Sequence, residues 1–316
     1  MTTNLEIKNV LERLSNNQQL LDFKIPTDKN DDIKKYLHYY GLNMNHIDLH
    51  IGKVGVNNVN ITAQIFRPQK SKGTVFLLHG YLSHVGLLKH IIQYFTDLDL
   101  TVFTYDLQGH GLSMGKTASV KDFSDYATIL EKLLHTAGKE MSHPLYVVGH
   151  STGAAIVIDY ILRHPNHSFN KVIFAAPLVR SNYWHVSKLG VYMAKMFPFI
   201  TEIKRNFRKN SSDQSYLHFV NNEDPLQADF IPMEWLKALI KWNKTIQVYN
   251  KTNTPTCILQ GNKDKTVDWK YNVQFIQRKF NNLQVIQIDN GRHELFNETE
   301  QIRQIAFTRI NKFIAE

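Results

Sequence analysis

From about residue 73 onward the chain alternates short, uninterrupted apolar runs with segments of helical spacing, and this alternation constrains the fold more than any other feature. "GTVFLLHG" (73–80) carries Val75, Phe76, Leu77 and Leu78 without a polar break, as expected of a strand buried on both faces. "LTVFTYD" (100–106), "LYVVGHS" (145–151), "KVIFAAP" (171–177), "TPTCILQG" (254–261) and "LQVIQID" (283–289) repeat the pattern. Between them lie amphipathic stretches such as "VKDFSDYATILEKLLHTAG", in which Phe123, Tyr126, Ile129, Leu130 and Leu133 recur at three- and four-residue steps. Strands alternating with helices imply an α/β fold with a mostly parallel sheet and helices on both faces. Upstream, "HIDLHI" (46–51) and "NITAQIFRP" (60–68) flank the turn-like "GVNN", which adds an antiparallel hairpin at one sheet edge and brings the expected strand count to eight.

One interval breaks this rhythm. Residues 178–252 are rich in Trp, Tyr, Phe and Met at roughly helical spacing and far exceed the usual αβ loop of about 2 to 6 residues, so they read as an inserted helical cap. Residues 1–45 read as an amphipathic helical extension, with Leu11, Leu14 and the Leu20/Leu21/Phe23 group as apolar contacts. The expected organisation is therefore an extension (1–45), a core in two parts (46–177 and 253–316) and a cap (178–252).

Bulk properties narrow the functional classes. The 43% apolar and 21% charged content of the 316 residues is that of an ordinary globular protein. A single cysteine, Cys257, excludes an internal disulfide framework and fits a reducing compartment. The N-terminal "MTTNLEIKNVLERLSNN" lacks the basic and apolar regions of a secretory signal, and the expected location is the cytoplasm. The formal net charge of +9 favours anionic surfaces. With neither zinc-finger spacing nor an RNP-like aromatic pattern, nucleic acid is not the expected partner. Lys204, Arg205, Arg208 and Lys209 follow the apolar "MFPFI" of the cap, a juxtaposition that suits peripheral contact with an anionic membrane as well as a solvated helix face.

"LYVVGHSTGAAIVIDYIL" (145–162) approaches the length of a bilayer span. His150, Ser151, Thr152 and Asp159, with Gly149 and Gly153 in its middle, argue instead for a strand turning sharply into a helix. In Gly149-His150-Ser151-Thr152-Gly153 the serine falls on that turn, with Oγ projecting beyond the strand and the glycines removing side chains that would collide. Charge developing beside Ser151 would meet the Thr152 N–H and the positive end of the helix dipole.

A serine hydroxyl needs a base, and the base an orienting acid, in the chain order Ser, Asp or Glu, His for this kind of elbow. Among the fifteen histidines, His164 and His167 end the elbow helix and His185 and His218 lie in the cap. His293, in "QIDNGRHELF", follows the last strand by a few residues and is the candidate base. For the acid, "CILQGNKDKTVDW" offers Asp264 and Asp268. Asp268 already reads as the N-cap of the next helix, which favours Asp264; Glu294 is a third choice, expected to point away from the His293 ring. The loop "LLHGYLSH" supplies the Tyr81 N–H as a second oxyanion donor, the Tyr81 phenol being free either to reach the pocket or to pack. His79 reads as a buried structural histidine.

Taken together, "LLHGYLSH", "YDLQGHGLS", "GHSTG", "LQGNKDKTVD" and "DNGRHELFNE" resemble the α/β-hydrolase superfamily, and within it the monoacylglycerol lipase and lysophospholipase branch, the serine aminopeptidase-like hydrolase group. The resemblance covers about residues 46–316. It implies Ser151 as nucleophile, Asp264 as acid, His293 as base and the Tyr81 and Thr152 amides as oxyanion hole. Asp106, Gly109, His110, Gly111 and Ser113 match a structural loop of the family, with Gln108 where arginine is frequent. The expected activity is hydrolysis of a carboxylic ester with an apolar acyl chain, a lysophospholipid or monoacylglycerol, needing neither metal nor organic cofactor. The alternatives are a peptidase acting at a free N-terminus, for which Glu202, Asp224 and Glu234 would have to converge on the amine, and a non-catalytic, ligand-binding relative.

Overall fold

The computed structural model describes residues 4–194, 196, 197 and 199–316. Two helices, α1 (Asn4–Asn16) and α2 (Asp31–Tyr40), precede a hairpin of β1 (Ile47–Val56) and β2 (Val59–Pro68). The hairpin closes on Asn57 and Asn58 with φ of 46° and 64°. Positive φ at both central residues is what a two-residue turn needs to match strand twist, and asparagine tolerates it. The chain then alternates: β3 (Thr74–Leu78), α3 (Lys89–Asp97), β4 (Thr101–Tyr105), α4 (Ser124–Ala137), β5 (Leu145–His150), α5 (Thr152–Arg163) and β6 (Lys171–Ala175).

The insertion follows, with α6 (Trp184–Ala194), β7 (Glu202–Lys204), α7 (Gln214–His218), β8 (Phe230–Pro232) and α8 (Met233–Thr245). It is mainly helical, but β7 and β8 pair as a small antiparallel ribbon that the helical reading of the cap did not anticipate. Three-residue strands are too short to show a period-2 pattern. The core resumes with β9 (Thr256–Gly261), α9 (Trp269–Lys279), β10 (Leu283–Ile288) and α10 (Glu300–Ala315).

Eight strands form one sheet in the order β1-β2-β4-β3-β5-β6-β9-β10. The hairpin is antiparallel to its neighbour and all pairs from β4 to β10 are parallel, the α/β-hydrolase arrangement expected from the sequence. Successive side chains of a strand serve opposite faces. Phe76 and Leu78 pack with Ile129 of α4, Ile156 of α5 and Phe275 of α9, while Val75 and Leu77 pack with Ile91 of α3 and Phe307 of α10. Cys257, reduced and buried, belongs to the second layer.

The N-terminal extension is helical at its ends and extended between them. Gln19 and Leu21 exchange backbone hydrogen bonds with Lys53 of β1 (2.8 and 3.0 Å), and Thr27 N–H reaches Leu49 O at 2.7 Å, so this stretch lies along the sheet edge. Alternation in extended backbone turns Leu21 inward and leaves Leu20 72% exposed, which corrects the grouping of Leu20 with the apolar contacts. Leu11 and Leu14 are buried, as expected.

Candidate active site

Ser151 occupies the single residue between the end of β5 and the start of α5, with φ 52° and ψ −110°. Such a backbone costs a non-glycine residue on the order of 1–3 kcal/mol and persists because its surroundings fix it: Ser151 N–H donates to Ala175 O at 2.9 Å and Ser151 O accepts from Leu178 N and Ala155 N, both at 3.1 Å. The turn also brings backbones into contact. A Cβ at Gly149 would lie 2.5 Å from Ala154 N, and one at Gly153 would lie 2.4 Å from Leu78 O, so no side chain fits at either position.

The strand ends bring Ser151, His293 and Asp264 together. Ser151 Oγ lies 2.9 Å from His293 Nε2, and His293 Nδ1 lies 2.8 Å from Asp264 Oδ2. All three are buried. Asp264 sits just past β9, where its Oδ1 accepts the Thr266 and Val267 N–H groups at 2.7 and 3.3 Å and its Oδ2 accepts Gln260 Nε2 at 3.3 Å. Burial pushes the Asp264 carboxyl upward, but the His293 charge and these donors outweigh it and hold it below the usual range. Burial likewise pulls the His293 ring down, and the charge and hydrogen bond of Asp264 reverse this, leaving it above the ordinary histidine value. A ring so placed has the chemistry to take a proton from a neighbouring hydroxyl and to be stabilised as imidazolium.

His150, the second residue of the elbow, donates Nε2–H to the His293 carbonyl at 3.0 Å, tying the Ser151 turn to the His293 loop. Asp268 is the N-cap of α9, accepting Tyr271 N–H at 3.3 Å. Glu294 is closer to the centre than expected, with a carboxylate oxygen within 4.8 Å of ring nitrogens of His150 and His293, but it accepts from Asn210 and Asn297 amides at 3.4 Å instead. Among the described residues these three are the one cluster with metal-ligand spacing. Both His293 nitrogens are already engaged in the Ser151 and Asp264 contacts, so a metal here would dismantle that chain.

The loop after β3 runs against Ser151: a Cβ at Gly80 would lie 3.2 Å from Ser151 Cβ. The next amide is that of Tyr81. Neither it nor the Thr152 N–H, at the first turn of α5, donates to a protein acceptor among the described residues, so both remain available to an anion. The Tyr81 phenol packs rather than reaching inward: it donates to Ala118 O at 2.6 Å, and its ring stacks on Trp235 of α8 with centroids 3.6 Å apart. His79 is bonded to backbone on both sides, Nδ1 to Gly80 O at 2.7 Å and Nε2 from Leu107 N–H at 2.9 Å. The Asp106 loop is structural: its carboxylate accepts Val85 and Leu112 N–H, each at 2.8 Å.

The cap acids do not converge. Glu202 is exposed and Glu234 accepts Ser119 Oγ–H at 2.5 Å. Asp224 is buried, taking His84 Nε2–H at 2.8 Å, Tyr40 O–H at 2.9 Å and Gln227 Nε2–H at 2.6 Å. Sequence reading missed this His84–Asp224 pair, whose members stand 140 positions apart with no local signal linking them.

The chain is 27% identical over 253 residues to a monoglyceride lipase homolog of Monkeypox virus, covering 77% of this chain and 89% of the relative. It is 27% identical over 255 residues to a monoacylglycerol lipase of Mycolicibacterium smegmatis, covering 78% and 90%. The crystal structure of a soluble variant of monoglyceride lipase from Saccharomyces cerevisiae, in complex with a substrate analog, shares the fold with a TM-score of 0.71 at 19% identity, covering 84% of this chain and 94% of that one. The sequence profile of one family spans residues 69–300, which include Ser151, Asp264 and His293, and by that match the chain belongs to the Hydrolase_4 family, serine aminopeptidase S33.

Proposed function

We propose that this carboxylic ester hydrolase cleaves the ester of a single-chain lipid, a monoacylglycerol or lysophospholipid, through an acyl-enzyme on Ser151. The observation that carries the reading is the continuous hydrogen-bonded chain from Ser151 Oγ through His293 to Asp264, at 2.9 and 2.8 Å. His293 Nε2 takes the Ser151 proton as Oγ bonds to the acyl carbon, and the Tyr81 and Thr152 amides receive the oxyanion. His293 then gives that proton to the leaving alkoxide as the ester C–O bond breaks. Water deprotonated by the same nitrogen attacks the acyl-enzyme, releasing the fatty acid and restoring the serine. The names of the relatives, monoglyceride and monoacylglycerol lipases, support a lipid ester as substrate.

Hydrolysis at a free N-terminus has weaker support, because Asp224 and Glu234 are committed to His84 and Ser119. A vestigial site is equally disfavoured by the unbroken chain. A fluorophosphonate probe should label the protein, and Ser151→Ala should abolish labelling with an unchanged circular dichroism spectrum. An unlabelled wild-type protein would overturn the hydrolase reading.

The cap supports peripheral membrane contact as part of the same proposal. Val186, Leu189 and Tyr192 of α6, with Met196 and Phe199 beyond it, are 61–77% exposed, and Lys204, Arg208 and Lys209 are exposed nearby in the chain. An apolar surface bordered by cations suits an anionic interface.

A further inference from the structure

Of the four basic residues that follow the apolar stretch of the cap, Arg205 alone turns inward: Lys204, Arg208 and Lys209 are exposed, and Arg205 is half-buried. Its backbone N–H donates to Asp229 O at 2.7 Å. Its Nη1 donates to Gln227 Oε1 at 2.7 Å and to Ala228 O at 3.3 Å, and Cζ lies 4.3 Å from the centre of the Phe207 ring. Gln227 is itself fixed by Asp224. The guanidinium is therefore held in one place by neutral groups. Among the described residues no carboxylate comes within 4.0 Å of it, and Nε and Nη2 have no protein acceptor.

Its surroundings place it beside the reaction centre. Gln227, which accepts from its Nη1, donates to Asp224, and Asp224 accepts from His84, three residues past Tyr81 in the loop after β3. A few residues along, Asn210 O accepts Glu294 N–H at 2.9 Å, so the segment carrying Arg205 runs onto the base's loop. Partly burying a cation with no carboxylate in ion-pair contact is costly, and Glu294, Asp224 and Asp229 offset that cost only from a distance. A guanidinium with two donor nitrogens free matches phosphate, which it binds in a forked geometry.

We propose that Arg205 is a specificity-determining residue that binds the phosphate of a single-chain phospholipid whose acyl ester lies at Ser151, making an anionic lysophospholipid the preferred substrate over a neutral monoacylglycerol. The proposal rests on the ester-hydrolase reading above.

The test compares kcat/KM for a short-chain lysophosphatidic acid and the monoacylglycerol of equal chain length, both below their aggregation concentrations. Wild type should favour the phosphate ester. Arg205→Gln should lower the ratio of the two kcat/KM values by about 10- to 100-fold, the worth of a charge-assisted hydrogen bond, mainly through KM. Arg205→Lys should keep part of the preference. Glycerol 3-phosphate should inhibit hydrolysis of a neutral p-nitrophenyl ester more strongly than inorganic phosphate does, and Arg205→Gln should weaken that inhibition. Equal losses on both lipids would mean a structural role, and an unchanged ratio would mean no headgroup contact; either overturns the proposal. A wild-type protein inactive on every ester would instead overturn the hydrolase reading, and calorimetric titration with glycerol 3-phosphate would still decide whether Arg205 binds phosphate.

Discussion

Asp264 and Asp268 stand four positions apart in one loop, and their surroundings divide two kinds of work between them. Asp264 faces His293 Nδ1 at 2.8 Å, whereas Asp268 spends its carboxylate on the Tyr271 N–H. Asp264→Asn is expected to lower kcat by on the order of 10⁴, because an amide no longer holds the ring in the required tautomer. Asp268→Asn should lower kcat little and cost at most about 1 kcal/mol of stability, asparagine being a comparable cap. Steady-state kinetics beside urea denaturation will separate the two, and the reverse pattern would move the proposed acid to Asp268. This distinction was legible in the sequence because capping is a local rule and one aspartate satisfied it. The inward turn of Arg205 was not legible. Four cations in six positions carry no mark of which one the fold will bury, since that depends on Gln227 and Phe207 and on how the ribbon closes.

Between the helices of the extension, residues 19–27 act as a cover for β1, the edge strand. Exposed edges invite pairing with other chains, and here that edge is met by its own N-terminus. The buried Lys53 Nζ reinforces the seam by donating to Ser15 O, Thr62 Oγ1 and Leu112 O, each at 2.8 Å. Further along, α2 supports the cap: Tyr39 O–H donates to Glu223 O at 2.8 Å and Tyr40 O–H to Asp224 at 2.9 Å. His84 Nδ1 accepts Gly86 N–H at 3.2 Å, so its proton is on Nε2 and directed at Asp224. Asp224→Ala leaves the His84, Tyr40 and Gln227 donors without their acceptor and should cost about 3 kcal/mol of unfolding free energy. Tyr40→Phe removes one donor to the carboxylate and should cost about 1.5–3 kcal/mol. Urea unfolding measures both, and losses near zero would mean that α2 carries no load from the cap. The helical spacing of α1 was readable, but the extended stretch after it was not, because its pairing partner lies in β1 and leaves no periodic trace in residues 19–27.

At the scale of the whole molecule, the sheet was the most legible part. Runs of β-branched and aromatic residues buried on both faces specify parallel strands almost regardless of what joins them, and Ser151 and Asp264 follow two such runs, β5 and β9, whereas His293 follows β10, an edge strand whose Val285 is 39% exposed. The cap was legible only as an interruption. Among the described residues no helix is long and apolar enough to cross a membrane, and the apolar surface of α6 suits contact with an interface rather than insertion through it. Wild-type protein is expected to co-sediment with anionic vesicles at low salt and to be released at high salt as the charges are screened. Leu189→Asp with Phe199→Asp should abolish the association, while equal failure of wild type on anionic and neutral vesicles would overturn it. The stack of Tyr81 on Trp235, at 3.6 Å, has a mechanical meaning here. It clamps the proposed oxyanion donor to α8, so a gate that swung on α8 would pull apart the site it serves. The loop that carries the Tyr81 amide and the cap helix α8 are thus joined as one body, and any displacement of α8 is transmitted to that amide.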